Sequence, residues 1–241
     1  MRNFKLIIAY DGSPYRGWQK TKEGPSIEAE LEKALFLLLG APVVLQAASR
    51  TDAGVHAMGQ TINFFAEKEI DPSKLNALLP PDIRALSMEA MPEKFHPTLD
   101  AQSKEYCYQI DNYPFQLPHR QKLAWHFIYP LDLAMMLSVK DALLGRQDFS
   151  ALANRREEDN FCEIYSIDIT EENRTFTITV RGKRFLYKMM RNIAGTLAYA
   201  GCGKLKDLAL LIKTKDRRLM GPTAPAFGLT LKKIFYEKDN L

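Results

Sequence analysis

The sequence predicts an α+β fold made of two similar halves, residues 1–105 and 106–241, that share a mixed, mainly antiparallel sheet. Three observations point there. The chain has 241 residues, room for one large domain or two small ones. Short β-branched apolar runs alternate with segments whose apolar residues recur at helical spacing. The order in which they do so in the first hundred residues returns in the rest. Apolar residues make up 46% and charged residues 26%, the balance of a packed globular chain rather than a disordered one.

The elements follow in order. Residues 4–11 (Phe4 to Asp11) read as a strand, closed by the turn cluster Asp11-Gly12-Ser13-Pro14. From Ser26 to Leu39, the apolar residues Ile27, Leu31, Ala34, Leu35 and Leu38 fall on one helical face, with Ser26 as cap and Gly40 as stop. Residues 43–48 are expected as a short buried strand, 50–56 as a loop and 60–65 as a strand. A second helix starts at Pro72 behind the cap Asp71, and residues 83–90 form another strand. Strand, helix, strand, strand, helix, strand is a split βαβ order, the ferredoxin-like plan shared by RNA-recognition modules. In the second half, residues 106–110 read as a strand and 131–144 as a helix closed by Gly145. Residues 164–169 and 175–181 read as a hairpin turning at Glu171-Glu172-Asn173. Leu186, Met189, Ile193 and Leu197 mark a helix that ends near Gly201, residues 208–212 continue helical, and 229–236 form the last strand. No Pro/Gly/Ser-rich linker separates the halves.

Composition removes several function classes. The apolar run at residues 34–39 is far short of the roughly 20 residues of a membrane span, and the first residues lack a signal-peptide cleavage pattern. Cys107, Cys162 and Cys202 are too scattered for a disulfide framework or a zinc knuckle. A reducing cytoplasmic location is therefore expected. His56, His96, His119 and His126 lack metal-ligand spacing. P-loop, nucleophile-elbow and dinucleotide fingerprints are missing as well, so neither a cofactor nor a metal is expected. The net charge of +4 is divided unevenly. Residues 1–105 carry 12 Lys/Arg against 14 Asp/Glu, and residues 106–241 carry 21 against 15. A basic half is the electrostatic footprint of a phosphate-bearing partner, although a solvated basic face has the same composition.

What remains is Arg50-Thr51-Asp52-Ala53-Gly54-Val55-His56. Asp52 offers a nucleophile or base, and Arg50, two residues away on an extended segment, faces the same side and favours the ionised carboxylate. The same run would also serve as an Asx-capped turn.

This run resembles the signature of the tRNA pseudouridine synthase A family, and further motifs follow in order. Tyr10-Asp11-Gly12-Ser13-Pro14-Tyr15-Arg16-Gly17-Trp18-Gln19 is similar to the family's opening motif. Asn76 through Ile83 and Phe95-His96-Pro97 match its middle motifs, and Lys104 through Ile110 its second active-site strand. Gly145 through Ser150 and Phe185 through Ile193 come next. The series closes with Asp216-Arg217-Arg218, Gly221 through Ala226 and Gly228-Leu229.

The resemblance implies the pseudouridine synthase fold with a central catalytic cleft. It also implies isomerisation of uridine to pseudouridine at positions 38 to 40 of the tRNA anticodon arm, by a homodimer without cofactor or metal. It assigns Asp52 to initiating cleavage of the C1′–N1 glycosidic bond, Tyr106 to stacking on the target base, and Arg191 to pairing with the catalytic Asp. Leu186 becomes a wall of the uracil pocket, and Arg50 the side chain that fills the space of the flipped-out base. Arg16, Trp18, Lys20, Lys183, Arg184, Lys188, Arg217 and Arg218 are candidates for holding RNA. Ser49 stands where the family usually has Gly, and Glu163 where Arg is common. Read without the resemblance, the pattern also fits a non-catalytic RNA-binding module with two RNA-recognition-like halves. A nucleoside glycosidase is disfavoured because no second carboxylate is well placed.

Overall fold

The computed structural model describes residues 1–155 and 157–237. They form an α+β fold with a mixed, mainly antiparallel arrangement of strands, grouped into two compact units. Among the described residues, one unit is Met1–Gln102 with 230–237, and the other is Ser103–Leu229.

The first unit begins with β1 (Arg2–Tyr10), α1 (Ile27–Leu39), β2 (Gln46–Ala47), β3 (His56–Ala66), α2 (Pro72–Asn76) and β4 (Ile83–Met91). β1 alternates strictly enough to bury Phe4, Leu6, Ile8 and Tyr10 on one face. It lies between β4 and β3, antiparallel to both, with Phe4 opposite Phe64 and Leu6 opposite Ile62. β2 pairs antiparallel with β3. The resulting order β4-β1-β3-β2 is that of the ferredoxin-like plan read from the sequence. α1 starts where Ser26 accepts a hydrogen bond from the Ala29 N–H, ends at the left-handed Gly40, and buries Ile27, Leu31, Ala34 and Leu35. Asp71 caps α2 ahead of Pro72. The expected buried strand at residues 43–48 shrinks to the two residues of β2, and Val44 is 81% exposed. The apolar run there lies at an edge, where it has no second face to cover it.

The second unit contains β5 (Ser103–Asp111), β6 (Trp125–His126), α3 (Leu133–Lys140), β7 (Gly145–Asp148), β8 (Phe161–Glu172), β9 (Thr175–Gly182), α4 (Met189–Gly201) and α5 (Leu208–Lys213). β5, β9, β8 and β7 run antiparallel in that order, and β6 adds to β5 in parallel. The helix expected over 131–144 is shorter than its apolar pattern, because a 3-10 turn replaces its last residues at Asp141–Leu143. The hairpin turns at Asn173 and Arg174, both with positive φ, one step later than expected. Helix α4 starts at Met189. Leu186 lies before it, because Lys188 adopts a left-handed conformation with φ 60. β10 (Leu229–Phe235) closes the series, and its residues from Thr230 on return to the first unit, parallel to β3. No helix among the described residues is long and apolar enough to cross a membrane.

Candidate active site

In the first unit, Asp52 is half-buried on the loop that joins β2 to β3. That loop is fixed by the opening motif. A Cβ built on Gly12 would lie 2.0 Å from the Val55 carbonyl oxygen, and one on Gly17, whose φ is +95, would lie 2.7 Å from that of Thr51. The backbones therefore approach as only glycine allows. Hydrogen bonds complete the seam. The Tyr10 hydroxyl meets Thr51 Oγ1 at 2.8 Å, and the Trp18 N–H donates to the Thr51 carbonyl at 3.1 Å. The Gly12 N–H reaches His56 Nδ1 at 3.2 Å, and Asp11 Oδ1 stands 3.1 Å from the same nitrogen. Inside the loop, the Val55 N–H donates to the Asp52 carbonyl at 3.1 Å. The Pro-Pro-Asp motif joins the seam through Asp82. Its carbonyl accepts from the Asp11 N–H at 2.9 Å, and its carboxylate accepts from the Tyr15 hydroxyl at 2.7 Å. Burial, first, and Asp82, second, push the Tyr15 hydroxyl's pKa upward. Ser49 is not in the positive-φ region, so its replacement of Gly carries no backbone strain. Its backbone exchanges hydrogen bonds with the Gln60 amide on β3.

In the second unit, Tyr106 is buried on β5, with its ring edge-to-face with Phe185 at 5.0 Å. Lys104, Tyr106 and Tyr108 share one face of that strand. Burial lowers the Lys104 ammonium to about 8 and pushes the Tyr108 hydroxyl up. Arg191, in the first turn of α4, is half-buried and donates through Nε to the Ala224 carbonyl at 2.7 Å, while the Tyr108 hydroxyl donates to the Pro225 carbonyl at 2.8 Å. Two side chains of different motifs thus grip consecutive carbonyls of the 221–226 motif. Leu186 is buried on the segment that leads into α4.

Comparison with known proteins decides what this arrangement belongs to. The family model described as tRNA pseudouridine synthase matches residues 6–98 and 140–237. Protochlamydia amoebophila has a protein named tRNA pseudouridine synthase A 2 that is 46% identical over 98% of this chain and 95% of its own. A Pelobacter propionicus protein named tRNA pseudouridine synthase A is 40% identical over 98% of this chain and 100% of its own. The chain belongs to the tRNA pseudouridine synthase family. A solved Cbf5-Nop10-Gar1 complex also matches, at 13% identity and TM-score 0.45, over 98% of this chain and 51% of that one.

The residues expected to hold RNA divide sharply. Arg16 and Lys183 are exposed, and so is Arg50 on the Asp52 loop. Lys20 is exposed but ion-paired to Glu32 at 2.6 Å, which raises its pKa. Arg184 bridges Glu157 and Asp159, each at 3.0 Å. Lys188 sits 5.0 Å over the Tyr187 ring. Arg218 is exposed and paired to Asp216 at 2.7 Å. One expectation is corrected. Trp18 is 2% exposed, so it is core, and its ring cannot stack on a base. Arg217 is half-buried and makes four hydrogen bonds within the fold. Sequence reasoning gave no individual role to Tyr10 or His56, or to the buried Asn192, and read Thr51 only as a turn cap. Two glycines spaced five apart beside Asp11 were the available sign that another backbone packs there.

Proposed function

We propose that this chain isomerises uridine to pseudouridine in tRNA, at positions 38 to 40 of the anticodon arm. Asp52 initiates the cleavage of the C1′–N1 bond. The freed uracil turns, C1′ bonds to C5, the C5 proton leaves to solvent and N1 takes one up. All other atoms are retained, so the base must be held and water kept out while both bonds are exchanged. Tyr106 stacks on the base, Leu186 walls the pocket and Arg191 is the site's cation. Arg50 takes the place of the base, whose flipping costs a few kcal/mol. In this reading a homodimer works on tRNA in the cytoplasm.

The observation that carries the reading is the half-buried carboxylate of Asp52 on a loop pinned at both ends by glycine contacts and side-chain hydrogen bonds, in a chain of this family. A carboxylate serving only as a turn cap would not need its loop so constrained. The test is tritium release from tRNA transcripts carrying 5-tritiated uridine. Wild type is expected to release tritium. Asp52→Asn, which keeps the shape and removes the charge, is expected to release none while still binding tRNA weakly. Wild-type activity in Asp52→Asn would remove Asp52 from the mechanism. No release from any transcript would leave an RNA-binding module, and free uracil as product would mean a glycosidase.

A further inference from the structure

The second unit carries an open depression of about 560 Å³, lined among others by Asn154, Lys215, Asp216, Arg217 and Arg218. Three cations meet there, and their partners differ in kind. Lys215 Nζ lies 2.7 Å from Asp148, and Arg218 forks onto Asp216, so each is matched by a carboxylate. Arg217 is not. Its Nε points to Asn154 Oδ1 at 3.5 Å, Nη1 donates to the Gly221 carbonyl at 2.7 Å, and Nη2 donates to Asn192 Oδ1 at 2.7 Å and Thr223 Oγ1 at 3.0 Å. All four acceptors are neutral, and among the described residues no carboxylate lies within ion-pair distance of it. A half-buried guanidinium has five N–H donors. Here four are occupied from behind, and one, on Nη1, is left. Leaving a half-buried cation without a counter-ion is costly, and burial accordingly lowers the pKa of Arg217.

With two pairs neutral, the lining keeps one uncompensated positive charge. A phosphodiester carries one negative charge, and its oxygens suit a guanidinium whose plane is already fixed. We propose that this depression is a subsite for one phosphodiester of the RNA backbone, with Arg217 as its fixed charge and Lys215 and Arg218 as its rim. The subsite rests on the reading of the chain as a tRNA-modifying enzyme.

The test is the salt dependence of binding to an unmodified tRNA transcript, with melting curves confirming that each variant is folded. Loss of one phosphate contact lowers the slope of log affinity against log salt by about 0.7–0.9. Arg217→Gln is expected to show that loss, and Arg217→Lys to keep most of the slope. A folded Arg217→Gln with the wild-type slope would overturn the subsite. Should Arg217→Gln melt below the assay temperature, exposed positions decide. Arg218→Glu must reduce the slope more than Lys213→Glu, an equal charge change at an exposed residue outside the lining, and equal reductions would overturn the proposal. In a second arm without RNA, inorganic phosphate is titrated against the melting temperature. Stabilisation of wild type but not of Arg217→Gln, with equal RNA slopes, would give the site to a free anion and overturn the RNA assignment. Tritium release keeps the two readings apart. A wild type that releases none overturns the isomerase itself, whereas release together with an unchanged Arg217→Gln slope overturns the subsite alone.

Discussion

Gly12 and Gly17 stand where a single methyl group would collide with the backbone of the Asp52 loop, so the position of the carboxylate is set by what these two residues lack. Gly12→Ala is expected to cost about 1–3 kcal/mol, the usual penalty of overpacking, and to depress tritium release, because the loop can accommodate the methyl only by moving. Denaturant unfolding and the release assay, run on the same preparation, check both halves of that statement. His56 belongs to the same seam. Its Nδ1 faces the Gly12 N–H and the Asp11 carboxylate together, so the proton on that nitrogen decides which of the two it serves. Lys104 makes a separate prediction about stability. Its pKa falls from 10.5 to about 8 on folding because burial disfavours the ammonium. Between those values the unfolded chain binds the extra proton, so stability rises with pH through that window, and below about 8 both states hold the proton and the penalty no longer changes with pH. Lys104→Met is therefore expected to melt higher than wild type at pH 7, with a difference that narrows as the pH rises from 8 towards 10.5. A difference independent of pH would show that the charge is not the cause.

Elements were legible where their signals are local. Ser26 and Gly40 bracket α1, Asp71 and Pro72 open α2, and the alternation of Phe4, Leu6 and Ile8 makes β1, each within a few residues of sequence. Signals that depend on what packs nearby were not. The apolar spacing of Leu186, Met189 and Ile193 runs straight through Lys188, whose left-handed backbone holds the start of the helix back to Met189, and nothing in its side chain announces that conformation. β7 consists of Gly145, Arg146, Gln147 and Asp148, a polar run that becomes a strand because β8 offers it an edge. The candidate site followed the same division. The run around Asp52 was recognisable as a motif. The burial of Trp18 and the internal bonding of Arg217 were not, since residue type alone had suggested an exposed RNA contact for both. The β8–β9 hairpin gives this scale its own test. Asn173 and Arg174 both have positive φ, the signature of a two-residue type I′ turn, in which Gly is preferred at the second position. Arg174→Gly should relieve the left-handed strain and, after the entropy that glycine loses, stabilise the protein by about 0.5–1 kcal/mol. An unchanged or lower denaturation midpoint would mean that Arg174 contributes more through its side chain than its backbone costs.

At the scale of the whole molecule, the chain's last strand matters most. β10 comes after the entire second unit in sequence, yet from Thr230 on it belongs to the first. Thr230 pairs with His56 and Leu231 with Ala57, so the strand supports β3 at the point where the Asp52 loop ends. Its side chains Leu231 and Ile234 are buried, as is Tyr236 just beyond it. The Tyr236 ring lies 5.4 Å from Phe95, and its hydroxyl donates to the Pro97 carbonyl at 2.7 Å. Three such side chains contribute roughly 1.5–3 kcal/mol each. Their sum, about 5 kcal/mol or more, rivals the net stability of a typical domain. A chain ending at Leu229 is therefore expected to lose the cooperative structure of residues 1–102, and with it the tritium release, although Asp52 itself is untouched. Hydrogen exchange separates this outcome from general unfolding. Amides of β1, β3 and β4 should lose protection in the truncated chain while those of β8 and β9 keep theirs. Retained protection in β3 would show that the first unit closes its core without the returning strand, and that the Asp52 loop owes its order to the opening motif alone.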